Sequence, residues 1–172
     1  MGLGEGSIKT LVKHLKMQKM ISTNNRGTVM SEKGERMLQE ICRYICSETN
    51  IPQCSISVGR FNHAILLRNT RFAIKNGLEQ RDMAIRAGAK GATTLIFKDE
   101  KFMIPGSDFN SLEEEQEIEM MLKEKLKPEE DDIVLIGSDD DSYTVAEIAT
   151  KAAALFTLEN HDKHCNIEYN FG

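Results

Sequence analysis

The chain has 172 residues, 40% hydrophobic and 28% charged, and a net charge of -5. That composition fits one or two small globular domains and excludes a disordered or fibrous chain. No apolar run approaches the ~20 residues of a membrane-spanning helix and no signal peptide opens the chain, so the cytoplasm is the expected location and no membrane partner is expected.

The charge is uneven along the chain. Residues 1–50 hold eight Lys or Arg against five Asp or Glu, and residues 51–172 hold fourteen against twenty-two. A globally acidic protein is not a general nucleic-acid coat. A basic head on an acidic body suits a protein that touches DNA at one end.

In chain order, Ser7 is placed to cap a helix reaching Gln18, with Ile8, Leu11, Val12 and Leu15 on one stripe and the lysines off it. Residues 23–27 are polar and turn-like, and residues 28–30 are expected to pair back as a ribbon strand. Ser31 opens a second helix, read as running to Glu48 with Met37, Leu38, Ile41 and Ile45 buried. Asn50-Ile51-Pro52 ends it, which divides the chain into a head, residues 1–50, and a body, residues 51–172.

The body alternates. Strands are expected at 54–58, 63–68, 93–98 and 132–137, with 101–104 pairing across an Asp99-Glu100 turn. Helices are expected at 71–87, 112–126 and 142–158. The last is rich in alanine and suited to lie flat on a sheet. The fold class is thus α+β/α/β: a partial winged helix-turn-helix followed by a layered α/β domain whose mixed sheet is at least partly parallel. There are no internal repeats.

Cys42 and Cys46 lie one helical turn apart and read as a buried pair of free thiols. A metal or redox role shared with Cys54 is the other reading. His161 and His164 near Cys165 have suggestive metal spacing but sit in a polar tail.

An α-helix fits the major groove and reads base edges with polar residues near its N-terminus. Ser7, Lys9, Thr10, Lys13 and His14 have that character, and Arg26 at the tip of the turn is suited to a phosphate or the minor groove. The same lysines also fit a plain solvated helix face.

Residues 3–34 resemble the latter part of prokaryotic winged-helix regulators. The segment LGEGSIKTLVKHL stands at the recognition helix, Lys19-Met20-Ile21 at its exit, and Met30-Ser31-Glu32-Lys33-Gly34 at the signature after the wing. The whole chain, including residues 76–82 and 88–95, resembles an archaeal family of uncharacterised proteins in which such a head precedes an α/β domain. The resemblance implies DNA binding through the head. Two helices normally precede the recognition helix, and only Met1 and Gly2 stand before the Leu3–Gly6 turn. The expected head is therefore abbreviated, its apolar stripe covered by the body or by a second subunit.

In the body, Arg68 and Arg71, then Gln80, Arg81 and Asp82, then Lys90, Thr93 and Thr94 form the densest polar set. Arg68, Arg81 and Lys90 together suit a phosphate or carboxylate anion. A surface lattice of ion pairs is the plainer alternative. Asp139, Asp140 and Asp141 are read as a helix cap in preference to a cation site. No nucleophile elbow, P-loop, dinucleotide fingerprint or HExxH occurs, and a Cys54–His63 pair has nothing to select it. No cofactor or metal is expected, and no catalytic residue is named. The expected protein is a transcriptional regulator: a DNA-contacting head on a body that senses a small anionic metabolite or forms a homodimer. An α/β enzyme or binding protein for such a metabolite is the alternative, and a non-catalytic dimerisation module a third reading.

Overall fold

The structure, a computed structural model, describes residues 5–165, with the side chains of 161–165 left out. Leu3 and Gly4 and the side chains of His161, His164 and Cys165 therefore lie outside the described residues. The chain divides into two compact units, Met1–Arg43 and Tyr44–Gly172, seven residues before the division read from the sequence.

The first unit is helix, ribbon, helix. Helix α1 spans Glu5–Met17, strands β1 and β2 span Ile21–Asn24 and Gly27–Met30, and helix α2 spans Glu32–Tyr44. Ser7 thus stands inside the first turn of α1, two residues past its start, and does not precede the helix as a cap. The C-terminus of α1 closes through Lys19, which takes a left-handed φ of 57°. The Met20 N–H then reaches the Leu15 carbonyl at 2.8 Å and the Lys19 N–H reaches the Lys16 carbonyl at 2.9 Å, a Schellman closure. The ribbon is antiparallel, with Asn24 opposite Gly27.

Ser31 starts α2. Its hydroxyl accepts the Gly34 N–H at 3.1 Å and donates to the Lys19 carbonyl at 2.6 Å. One side chain thereby caps the second helix and pins it to the exit of the first. Gly34 is the only buried residue of this unit among those described. A Cβ there would collide with the Met20 carbonyl, so the close approach requires glycine.

Helix α2 stops at Tyr44, four residues before Glu48. Ile45–Ile51 is strand β3, the edge of the main sheet. Its side chains alternate between half-buried and exposed until Ile51 closes the core. That period of two, together with pairing to the next strand, overrides the helical spacing. The expected buried thiol pair is lost with it: Cys42 and Cys46 stand on different elements and both are exposed. Met37 and Leu38, expected to be buried, are 47% and 48% exposed.

The second unit continues with β4 (Phe61–Leu67), α3 (Leu78–Arg86), β5 (Gly91–Lys98), β6 (Lys101–Met103), α4 (Gln116–Leu126), β7 (Ile133–Asp139) and α5 (Tyr143–Cys165). Residues 54–58, expected as a strand, form a loop in which the Ser57 hydroxyl accepts the Cys54 N–H at 3.0 Å. The helix expected over 71–87 breaks into a 3-10 turn, Arg71–Ala73, and α3. Gly77 separates them with a φ of 78°, and a Cβ there would lie 2.9 Å from the Thr94 side chain. Asp99 and Glu100 both take left-handed φ values, 50° and 60°. This is the turn that a two-residue hairpin requires, and it joins β5 to β6 as the sequence predicts.

The sheet order is β3-β4-β7-β5-β6, and every neighbouring pair is antiparallel. The expected mixed sheet is therefore not observed. Strands β4 and β5 do run in the same direction around the α3 crossover, as a strand-helix-strand pattern requires. Strand β7, however, inserts between them and pairs antiparallel with both, a split βαβ arrangement. One face packs α4 through Leu66, Leu95, Phe97, Leu122 and Val134. The other packs α3 and α5 through Ile65, Leu67, Ile96, Leu135 and the alanines of α5. Ala146, Ala149, Ala153 and Ala154 have no exposed surface, so α5 lies flat against the sheet as its composition predicts.

Candidate functional site

On α1 the apolar residues Ile8, Leu11, Val12 and Leu15 cover one arc at 100° per residue, and Lys9, Lys13, Lys16, Thr10, His14 and Ser7 cover the opposite one. All six polar residues are exposed, as is Arg26 between the ribbon strands. They are not equally available. Lys9 pairs with Glu5 at 2.7 Å, and the Thr10 hydroxyl donates to the Gly6 carbonyl at 3.0 Å. Lys13, His14, Lys16 and Arg26 have no ion-pair partner among the described residues. Arg26 is oriented through its backbone, whose N–H donates to Asn24 Oδ1 at 2.8 Å. Ile8 and Leu11 are each 46% exposed.

The polar set of the body does not converge. Arg68 and Arg71 follow β4, at the end of the sheet where β7 begins. Arg68 pairs with Glu129 at 2.9 Å and with Asp132 at 3.5 Å. Arg71 Nη1 donates to the Ile74 carbonyl at 3.1 Å. Lys90 precedes β5 at the opposite end, where its Nζ lies 2.6 Å from Asp140 Oδ2. A seven-residue strand separates the two ends, roughly 20 Å. No single anion spans Arg68 and Lys90, so the three-cation clamp expected from the sequence is not assembled.

Of the other members, Gln80 and Thr93 tie separate segments of the fold together. Gln80 is buried and donates from Nε2 to Thr157 Oγ1 at 3.1 Å, joining α3 to α5. The Thr93 hydroxyl donates to the Ile56 carbonyl at 2.6 Å. Thr94 is buried against Gly77, and its Oγ1 has no hydrogen-bond partner. Arg81 pairs with its neighbour Asp82 at 2.9 Å.

What does gather at the Lys90 end is a knot around Asp140. Besides Lys90, the Arg60 N–H donates to Asp140 Oδ1 at 3.2 Å, and Arg60 Nη2 donates to the Asp140 carbonyl at 2.7 Å. The Lys90 hydrogen bond, then that of the Arg60 backbone, holds the Asp140 carboxyl below the ordinary aspartate range. Arg60 carries no sequence signal for this, since eighty residues separate it from its partner. The cap of α5 is Ser142, and not one of the three aspartates that the sequence reading preferred: Ser142 Oγ accepts the Val145 N–H at 3.2 Å, while Asp139 Oδ2 accepts the Asp141 and Ser142 N–H groups at 2.8 and 3.3 Å in the turn before the helix. Among the described residues no group of three or more His, Cys, Asp or Glu is placed to hold a metal ion.

Cys54 and His63 are not a pair either. Cys54 packs against the core on the α4 face. His63 shares its strand parity with Ile65 and Leu67, which face α5, and its ring nitrogens meet Asn50 Oδ1 at 2.7 Å and Glu48 Oε2 at 3.4 Å. Burial pushes the Cys54 thiol above its ordinary value, the wrong direction for a nucleophile.

The body is thus an α/β/α sandwich built on an antiparallel sheet, preceded by a helix-ribbon-helix unit. The chain belongs to the family described as "Domain of unknown function (DUF4443)", whose model matches residues 58–158. That span lies wholly within the body, so the family assignment speaks for the sandwich. Among solved structures, the hypothetical protein PH0730 from Pyrococcus horikoshii OT3 is similar, with a TM-score of 0.64 and 24% identity over 91% of this chain and 79% of that one. This likeness shows the fold, and it agrees with the resemblance to archaeal uncharacterised proteins. No curated protein matches the chain. No helix among the described residues is long and apolar enough to cross a membrane.

Proposed function

We propose that the protein is a cytoplasmic DNA-binding regulator of the winged-helix type, in which α1 lies against the duplex, the β1–β2 ribbon serves as wing, and the sandwich supplies sensing and pairing of two copies. The observation that carries the reading is the separation of faces on α1. Its cationic arc is fully exposed beside a hairpin with an exposed arginine at its tip, while its aliphatic arc faces the other way. The acidic body disfavours broad electrostatic adhesion, which confines contact to the head.

Lys13, Lys16 and Arg26 are the cations with no competing carboxylate, so they are the expected phosphate contacts. Three such contacts give a slope of about -3 for the logarithm of affinity against the logarithm of salt. Retention of the full chain on a short duplex at low salt, titrated with salt, measures it. The double change Lys13→Glu and Lys16→Glu abolishes retention if the reading is right. Retention that ignores salt, or that survives this change, rules it out.

A further inference from the structure

The sheet end where β4 finishes and β7 begins carries a cleft of about 430 Å3. Arg71 in the 3-10 turn and Lys98 at the end of β5 place cations on its wall, and Asp99, Asp108 and Asp131 place carboxylates there. Among the described residues none of these five side chains is in an ion pair, although opposite charges share the one cleft. Arg71 gives Nη1 to the Ile74 carbonyl and keeps its other N–H groups. Asp99 in the β5–β6 turn and Asp131 in the loop before β7 are anchored through their backbones: the Asp99 N–H donates to Glu130 Oε2 at 3.1 Å and the Asp131 N–H to the Phe97 carbonyl at 2.9 Å. Buried Ile96 and half-buried Met103 give the cleft an apolar part.

A ligand of one sign is attracted by half of this wall and repelled by the other half. A molecule that carries both a carboxylate and an ammonium group satisfies both halves together, and each such charge-assisted contact is stronger than a neutral one. The volume falls within the range of roughly 300–1,000 Å3 typical of small-molecule sites. Three carboxylates against two cations favour a ligand with a second amino group over one with a second acid group. The geometry points to a binding site for a zwitterionic α-amino acid, preferentially a basic one, with its carboxylate toward Arg71 and Lys98, its ammonium groups toward the aspartates and its alkyl chain over Ile96 and Met103. The assignment concerns the body alone and does not rest on DNA binding by the head.

Calorimetric titration of the full chain with L-lysine tests it, using cadaverine and hexanoate as partners that each lack one charge type. L-lysine binds saturably, and each single-charge analogue binds at least about tenfold more weakly. Arg71→Gln and Asp131→Asn each weaken L-lysine by about tenfold. Asp131 has a φ of 65°, a conformation asparagine also adopts, so the second variant keeps its backbone and its thermal melt. No saturable binding at millimolar L-lysine, equal binding of the analogues, or indifference to both substitutions overturns the site. Duplex retention by the Asp131→Asn chain is unchanged, which separates failure of this site from failure of the head.

Discussion

Gly137 sits in the central strand with His63 on one side and Ala92 on the other, beneath α5. The Thr150 hydroxyl accepts its N–H at 3.1 Å and lies 2.7 Å from the Ala146 carbonyl and 3.0 Å from that of His63. One threonine therefore ties the helix to the sheet, at a spacing that leaves no room for a side chain at position 137. A Cβ there would strike Thr150 Oγ1 and come within 2.8 Å of the Ala146 carbonyl. Gly137→Ala is expected to lower unfolding free energy by about 1–3 kcal/mol, as overpacking of a tight core does. Adding Thr150→Ala recovers only part of that loss, because the Ala146 carbonyl stays in place. Urea unfolding of the three chains measures both effects. Nothing in the sequence marks Gly137 as different from the glycines of turns; its constraint arises only when a helix lands on it.

The contact between α5 and edge strand β3 is electrostatic at its margin. Lys151 Nζ lies 3.1 Å from Glu48 Oε2 and is hydrogen-bonded to Glu147. The Lys151 hydrogen bond is the largest influence on Glu147 and sets its carboxyl below the ordinary value of 4.5. The folded chain thus gives up this proton more readily than the unfolded one. The stability it supplies is present above pH 4.5 and is lost as pH falls through the folded value. Melting curves over a descending pH series are expected to fall less steeply in that window for Glu147→Gln than for the parent, and added salt narrows the difference. Much of the element list was legible in the sequence: the alternation of strands and helices, the hairpin at Asp99-Glu100, the alanine face of α5 and the helix-ribbon-helix order of the first unit. The strand read at 54–58 and the unbroken helix read over 71–87 were wrong in detail, and two larger things were hidden. Residues 45–48 read as a continuation of α2, because Ile41 and Ile45 fit a helical stripe as well as a strand. The seat of β7 between β4 and β5 was invisible, since hydrophobic pattern reports which residues are buried and not which strand is the neighbour. The dispersal of the polar set does not depend on that seat: Arg68 follows β4 and Lys90 precedes β5, and two strands that run the same way put those positions at opposite ends. Residues at strand ends are brought together or driven apart by strand direction.

At the scale of the molecule, the two units are held by different means. The second buries aliphatic layers on both faces of its sheet. The first has Gly34 as its only buried residue among those described and is fastened mainly by the Ser31, Lys19 and Met20 backbone contacts. Opening free energy follows burial. Amide hydrogen exchange is therefore expected to be slowest in β4 and β7 and fastest in α1 and the ribbon, by orders of magnitude. Equal protection in the two units would contradict this account of how the first is held.

The place of β7 also governs the order in which the protein can be made. Strands β3 and β4 form one ladder and β5 and β6 another, and no hydrogen bond in the sheet joins the two until residues 133–139 arrive. During synthesis the nascent sandwich is two separate half-sheets, each with a bare inner edge, until its keystone strand leaves the ribosome. A ribosome that stalls before Ile133 would thus release a chain with two adhesive edges.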